Sequence, residues 1–320
     1  MAASWSLRGT PVPVGRRVPL EGDNVIVRVS RTQRPARIDN YGDAGGPIAR
    51  YAQSVGVRVA VGTPVLAGGR LWGVMAAGSS RPGPLPARGT ELRIGAFTEM
   101  VAMAIANAEA RRALEQVAAE QAALGRVATL VAEAVLPGEV FTVVAAEVAG
   151  LFGVPLAGLF RYESEGVATV IAGAGRVSPY LGRRWPCPAG DPGLVASLQR
   201  TGQPLRIDDY TQIKSAISEP AWELGIGMAA GVPVIVSSRV WGAVVVAADY
   251  DHRTPLPADT LGRLAAFTEL VAAAIANSDA RAEIERLAQE QASLGRVATL
   301  VATGAETGEV FAAAASRPPR

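Results

Sequence analysis

The chain has 320 residues, 49% hydrophobic and 19% charged, with 31 Lys+Arg against 29 Asp+Glu for a formal net charge of +2. That is too apolar for a disordered segment and too nearly neutral to imply a nucleic-acid or membrane-surface partner by charge alone. A single cysteine, Cys187, and a single histidine, His252, exclude an internal disulfide, a multi-cysteine metal or iron–sulfur centre and a histidine-rich metal site.

The length suggests about two domains, and the sequence carries a duplication. Residues 90–107, TELRIGAFTEMVAMAIAN, are echoed by residues 260–277, TLGRLAAFTELVAAAIAN, and LGRVATLVA occurs at both 124–132 and 294–302. A unit recurring once at so long a spacing is a duplicated domain, not a solenoid. The N-terminal residues lack the charged-then-apolar pattern of a signal peptide, and no apolar run of about eighteen residues escapes interruption. The expectation is a cytoplasmic protein without a membrane or nucleic-acid partner.

In chain order, residues 15–19 (GRRVP) match 182–186 (GRRWP), and 38–41 (IDNY) match 207–210 (IDDY). Nothing precedes Met1 to match residues 140–162, so the first domain reads as starting partway through its fold, from a mis-assigned start or as a fragment. Residues 62–77, GTPVLAGGRLWGVMAA, read as a hairpin across a Gly-Gly turn, and residues 231–248, GVPVIVSSRVWGAVVVAA, as its repeat, with Trp241 in the place of Trp72. A Pro-rich loop follows each hairpin and sets the start of the long helix.

Beyond Asn107 that helix continues without proline. Leu114, Val117, Gln121, Leu124, Ala128 and Val131 recur at steps of three and four, and Ile284, Leu287, Gln291, Leu294, Ala298 and Val301 repeat the pattern. The stripe reads either as packing on its own domain or as a parallel coiled coil joining two copies of the chain, Gln121 and Gln291 fixing the register. Pro137 then ends this segment. Residues 138–152 form another amphipathic helix, 155–162 and 167–172 a hairpin, 194–200 a short helix, 203–207 an edge strand, and 208–226 a loop bearing Pro220 and Trp222. Residues 308–311 (GEVF) echo 138–141, opening a third unit that dissolves.

The fold class is therefore α+β: two units, each an antiparallel sheet with helices segregated to one face, joined by a long coiled-coil-type helix. The expected boundaries are 1–111 for an incomplete domain, 112–136 for a linker helix, 137–281 for a complete domain, 282–302 for a second linker helix and 303–320 for a truncated, disordered remnant.

The combination of the hairpin GVPVIVSSRVWGAVVVA, a Pro-rich loop and LGRLAAFTELVAAAIANSDAR resembles the GAF sensory domain, especially the tandem GAF domains of bacterial sensor histidine kinases. The resemblance implies a sheet of about six strands, a ligand pocket on the face opposite the terminal helices, dimerisation through those helices, and a role as the sensory module of two-component-type signalling. A ligand-free dimerisation scaffold and a non-functional kinase fragment are the alternatives. It also implies a kinase or response-regulator partner and a homodimer through Leu114, Val117, Leu124, Ile284, Leu287 and Leu294.

On the variable side of the sheet the candidate ligand residues are Phe160, Tyr162, Trp185, Asp208, Tyr210, Trp222 and Met228, since small-molecule pockets combine aromatics with a few polar groups. Each can equally be a core aromatic or, for Asp208, turn chemistry. Within the family, the cyclic-nucleotide subfamily's Asn-Lys-Phe-Asp-Glu pattern is absent. Cys187, between two prolines, reads as a buried thiol and not a bilin attachment point, and residues 210–230 contain no histidine for haem. The expectation is an unknown ligand, with haem, bilin and cyclic nucleotide disfavoured. No phospho-accepting histidine, ATP lid, Walker loop, Gly-x-Ser-x-Gly elbow or metal-ligand cluster is present, and one cysteine does not supply the pair that GAF-like methionine-sulfoxide reductases use; the chain reads as no enzyme.

Overall fold

The computed structural model describes residues 14, 15, 17–81, 85, 89–163, 166–250 and 255–302. The expectations for residues 1–13 and 303–320 and for His252 fall outside them. The chain divides into two compact units, residues 1–117 and 118–320.

In the first unit, α1 (Val25–Thr32), β1 (Ala36–Ile38), a 3₁₀ turn (Tyr41–Asp43) and α2 (Pro47–Ser54) lead into the hairpin β2 (Val59–Ala67) and β3 (Arg70–Ser79). The antiparallel sheet has the order β1-β2-β3. Gly68 and Gly69 turn the hairpin at φ 57° and 77°, the two left-handed residues that a tight hairpin turn requires. Asn24 caps α1, its side chain accepting from the Val27 amide at 3.1 Å. The helix α3 (Thr90–Ala132) then runs unbroken for 43 residues, as its Ala, Glu and Leu content and lack of proline favour.

The second unit takes the last turns of α3 and continues with α4 (Pro137–Phe152), β4 (Leu156–Glu163), β5 (Val167–Gly175), β6 (Arg184–Pro186), α5 (Leu194–Thr201) and β7 (Leu205–Ile207). After these come α6 (Ser218–Glu223), β8 (Ile226–Val236), β9 (Arg239–Asp249) and α7 (Thr260–Ala302). All six strands form one antiparallel sheet in the order β6-β5-β4-β9-β8-β7. Both expected hairpins and the edge strand are present. The loop expected over 208–226 instead contains α6, whose start is tied down by the Ser218 hydroxyl accepting from the Ser215 amide at 2.7 Å, and Pro220 lies in its first turn, where proline is tolerated.

Both faces of this sheet are buried, so its central strands are continuously apolar. Along β9, Val244, Val246 and Ala248 enter one core with α4, α7 and the end of α3, while Ala243, Val245 and Ala247 enter a second core on the opposite face, as strand alternation dictates. The first core shows how α3 docks. Ala123 and Val127 are fully enclosed and Leu124, Leu130 and Val131 partly so. The Arg263 guanidinium, 8% exposed, donates to Glu120 at 2.6 Å and lies 4.5 Å from the centre of the Phe152 ring. Of the expected seam, Leu124 therefore packs at least partly on its own unit, whereas Leu114, Val117, Ile284, Leu287 and Leu294 are exposed.

Candidate functional site

On the sheet face opposite α4 and α7, the second core holds a half-open apolar cavity of about 60 Å³. Its floor is Phe160 of β4, Val170 of β5, Ala229 of β8 and Val245 and Ala247 of β9; its cover is Leu194 and Val195 of α5, Tyr210, and Ala221 and Leu224 from α6 and its end. Trp185 and Tyr180 close one side, their ring centroids 5.7 Å apart. Small side chains on β8 and β9 leave the space that larger ones would fill, while Leu198 of α5 sits so close over Gly231 that a Cβ there would lie 2.6 Å from its Cδ1.

The polar groups around the cavity are already engaged. The Tyr162 hydroxyl donates to the Val195 carbonyl at 2.7 Å, and burial raises its pKa. Tyr210 is 3% exposed, its hydroxyl bonded to the Leu194 backbone and the Ser215 side chain, and burial raises its pKa as well. In the first unit Tyr41 has the same relation to the backbone of Val25. Outside the lining, the Arg183 guanidinium lies 4.2 Å from the Trp185 ring centre and 5.4 Å from that of Tyr180, a cation–π arrangement. Arg176 joins Asp249 to the Leu224 carbonyl, accepted at 3.0 Å, beside the cavity's edge.

Of the residues expected at the site, Phe160, Trp185 and Tyr210 line the cavity. Tyr162 packs in the same core, with its hydroxyl committed to Val195. Three expectations are corrected. Met228 faces the helix layer: a β-bulge between Ile226 and Met228 adds a residue to β8, so Met228 lies opposite the face that Ile226 and Ala229 share. The bulge requires Gly227, where a Cβ would lie 2.6 Å from the Tyr250 backbone. Asp208 turns back to Arg206 at 2.6 Å with its side chain 69% exposed, and Trp222 occupies the outer side of α6, 44% exposed. Cys187 is buried, and burial pushes its thiol up to about 11. Tyr180, Val195 and Leu224 were missed by sequence reasoning. Val195 fell within the short helix expected at 194–200, with nothing in the pattern to single it out. Among the described residues no group of His, Cys, Asp or Glu could hold a metal ion, and no helix is long and apolar enough to cross a membrane.

The pattern of the GAF domain matches residues 3–109 and again 137–275. The chain belongs to the GAF domain family. Both stretches of this GAF protein thus carry the same fold, joined by α3. No curated protein matches it. Among solved structures, the phycoerythrobilin-bound GAF domain of a cyanobacterial phytochrome is similar at 20% identity, covering 51% of this chain and 97% of that one with a TM-score of 0.43. The GAF domain of a Coxiella burnetii phosphoenolpyruvate-protein phosphotransferase is similar at 19% identity, with 51% and 96% coverage and a TM-score of 0.44. The photosensory core module of a Stigmatella aurantiaca phytochrome is similar at 18% identity, with 64% and 44% coverage and a TM-score of 0.49. The expectation that set bilins aside is corrected: bilin-bound GAF domains stand among the similar structures.

Proposed function

We propose that this GAF protein is a sensory module of two-component-type signalling, in which the second unit binds a small molecule through an apolar surface and the long helices pass the event on. The half-open apolar cavity between the sheet and α5–α6 is the observation that carries this reading. Its lining is apolar and its tyrosine hydroxyls are satisfied by the protein, so what enters must bring its own apolar face. The exposed Leu114, Val117, Ile284, Leu287 and Leu294 support pairing of two copies through the helices, and with it a kinase or response regulator as the partner that receives the signal. They also favour a second reading, a ligand-free scaffold in which that pairing is the whole function.

The test is a thermal-unfolding series on the full chain with indole, benzene, biliverdin and haem, compared with the Ala229→Leu variant, which fills the cavity. A ligand at about a hundred times its Kd stabilises its unit by about 2.7 kcal/mol. Such a shift in the wild type, absent in the variant, supports sensing; no shift with any of the four leaves the scaffold reading.

A further inference from the structure

Each unit carries the tripeptide Arg-Ile-Asp at the same place, residues 37–39 and 206–208. In the second unit it spans the end of β7, a three-residue strand at the edge of the sheet. Leu205 and Ile207 pack against the cavity-side core. Arg206, paired across the sheet with Ala230 of the helix-side core, sends its guanidinium to the other face, because successive strand side chains alternate. There its Nη1 donates to the Pro257 carbonyl at 2.6 Å and its Nη2 to the Leu256 carbonyl at 3.0 Å. The same Pro257 oxygen accepts the hydroxyl of Thr260, the first residue of α7, at 2.6 Å. Asp208 holds the fork in this orientation through Nε.

The first unit repeats the connection with different partners. Arg37 donates through Nε to Asp39 and through Nη2 to the Leu85 carbonyl, both at 2.5 Å, and through Nη1 to Glu91, the second residue of α3, at 2.9 Å. A planar guanidinium with donors on several edges can join a strand, its own aspartate and a helix start at once, which a lysine cannot. In both units the arginine thus links the edge strand, which precedes a 3₁₀ turn (Tyr41–Asp43 or Tyr210–Gln212), to the start of a 43-residue helix.

We propose that this Arg-Ile-Asp clamp is the link through which the state of the cavity sets the start of the exit helix. The proposal rests on the sensing role given above. Tyr210 lines the cavity and lies in the turn that Asp209 caps directly after β7, the Asp209 carboxylate accepting from the Thr211 amide at 3.0 Å. β7 is hydrogen-bonded along one side only, so it resists displacement less than the central strands. Movement of Tyr210 and Ile207 therefore passes through Arg206 to Pro257 and Thr260. One turn further along α7, Arg263 carries it to Glu120 of α3.

The test needs no ligand, so its failure is separable from a failure of the sensing reading. Two cavity-filling substitutions, Ala229→Leu and the milder Ala247→Val, stand in for an occupant in the full chain, each with Arg206 intact and with Arg206→Met. Hydrogen exchange is read at residues 258–264 and 118–127. With Arg206 present, filling the cavity changes exchange in both segments by about threefold or more, a modest coupling for a packed network. With Arg206→Met the two segments no longer respond to filling, although α7 starts from a looser baseline. A response to filling that persists undiminished in Arg206→Met, or no response in either background, overturns the clamp. A merely structural Arg206 moves the baseline and leaves the response to filling unchanged.

Discussion

The same hairpin and the same helix occur in both units and meet different surroundings. Phe267 of α7 is fully buried among α4, α3 and the sheet, whereas its counterpart Phe97 of α3 is 58% exposed. Trp241 packs against Phe141 of α4 with ring centroids 5.6 Å apart, whereas Trp72 is 51% exposed. In the second unit β9 pairs with β4 on one side and β8 on the other; the described part of the first sheet ends at β3. Arg263 finds Glu120, while its counterpart Arg93 is exposed. Identical amphipathic patterning thus yields a core residue or a surface residue according to what stands opposite, since hydrophobic stabilisation follows the area removed from water and not the residue type.

The widest break in the comparison should come from truncating the paired phenylalanines. Phe267→Ala is expected to destabilise the second unit by about 3–5 kcal/mol, the usual range for a buried phenylalanine. Phe97→Ala should change the first unit by no more than about 0.5 kcal/mol, as at exposed positions. Unit-resolved hydrogen exchange in dilute urea measures both in one chain; equal losses would mean that the two environments are not as different as they look.

A smaller effect is expected from the paired glycines under the short helices. A Cβ on Gly231 would lie 2.6 Å from Leu198 Cδ1, whereas on Gly62 it would lie 3.1 Å from Val25 Cγ2. Gly231→Ala should therefore cost about 1–3 kcal/mol by overpacking, and Gly62→Ala less than about 1 kcal/mol. The reverse ranking in urea midpoints would contradict the tighter packing of α5 on its sheet.

The smallest effect sharpens the hairpin comparison. Ser237 and Ser238 hold the second turn at φ 48° and 63°, where the first has glycines. Ser238→Gly should stabilise the second unit by about 0.5 kcal/mol, because a left-handed conformation is unfavourable for a residue with a Cβ and free for glycine. A loss of thermal stability in that variant would show that the Ser238 side chain contributes something its geometry does not reveal.

The duplication, the hairpins and the long helices were legible because each rests on local rules: periodicity, turn residues and the exclusion of proline. The site was legible in part. Phe160, Trp185 and Tyr210 were found as aromatics on or beside strands, but Met228 was assigned to the wrong face because a bulge at Gly227 changes the strand's parity, and a bulge leaves no periodic trace. Asp208 repeated for a reason other than ligand binding, as the partner of a neighbouring arginine. Tyr180, Val195 and Leu224 come from separate short elements that only the closed sheet brings together. The heptad stripe was read either as packing on its own domain or as a seam between copies; beside it, α3 buries Ala123 and Val127 on its own unit, because helices of this kind offer several apolar faces and packing selects among them.

By itself, then, the sequence determined the GAF-like order of elements, since hydrophobic period, turn chemistry and proline placement act over a few residues. The tertiary structure decided which copy of each repeated residue is buried, which strand face forms the cavity and what each charged side chain clasps. Those outcomes depend on contacts between segments far apart in the chain, and no local pattern encodes them.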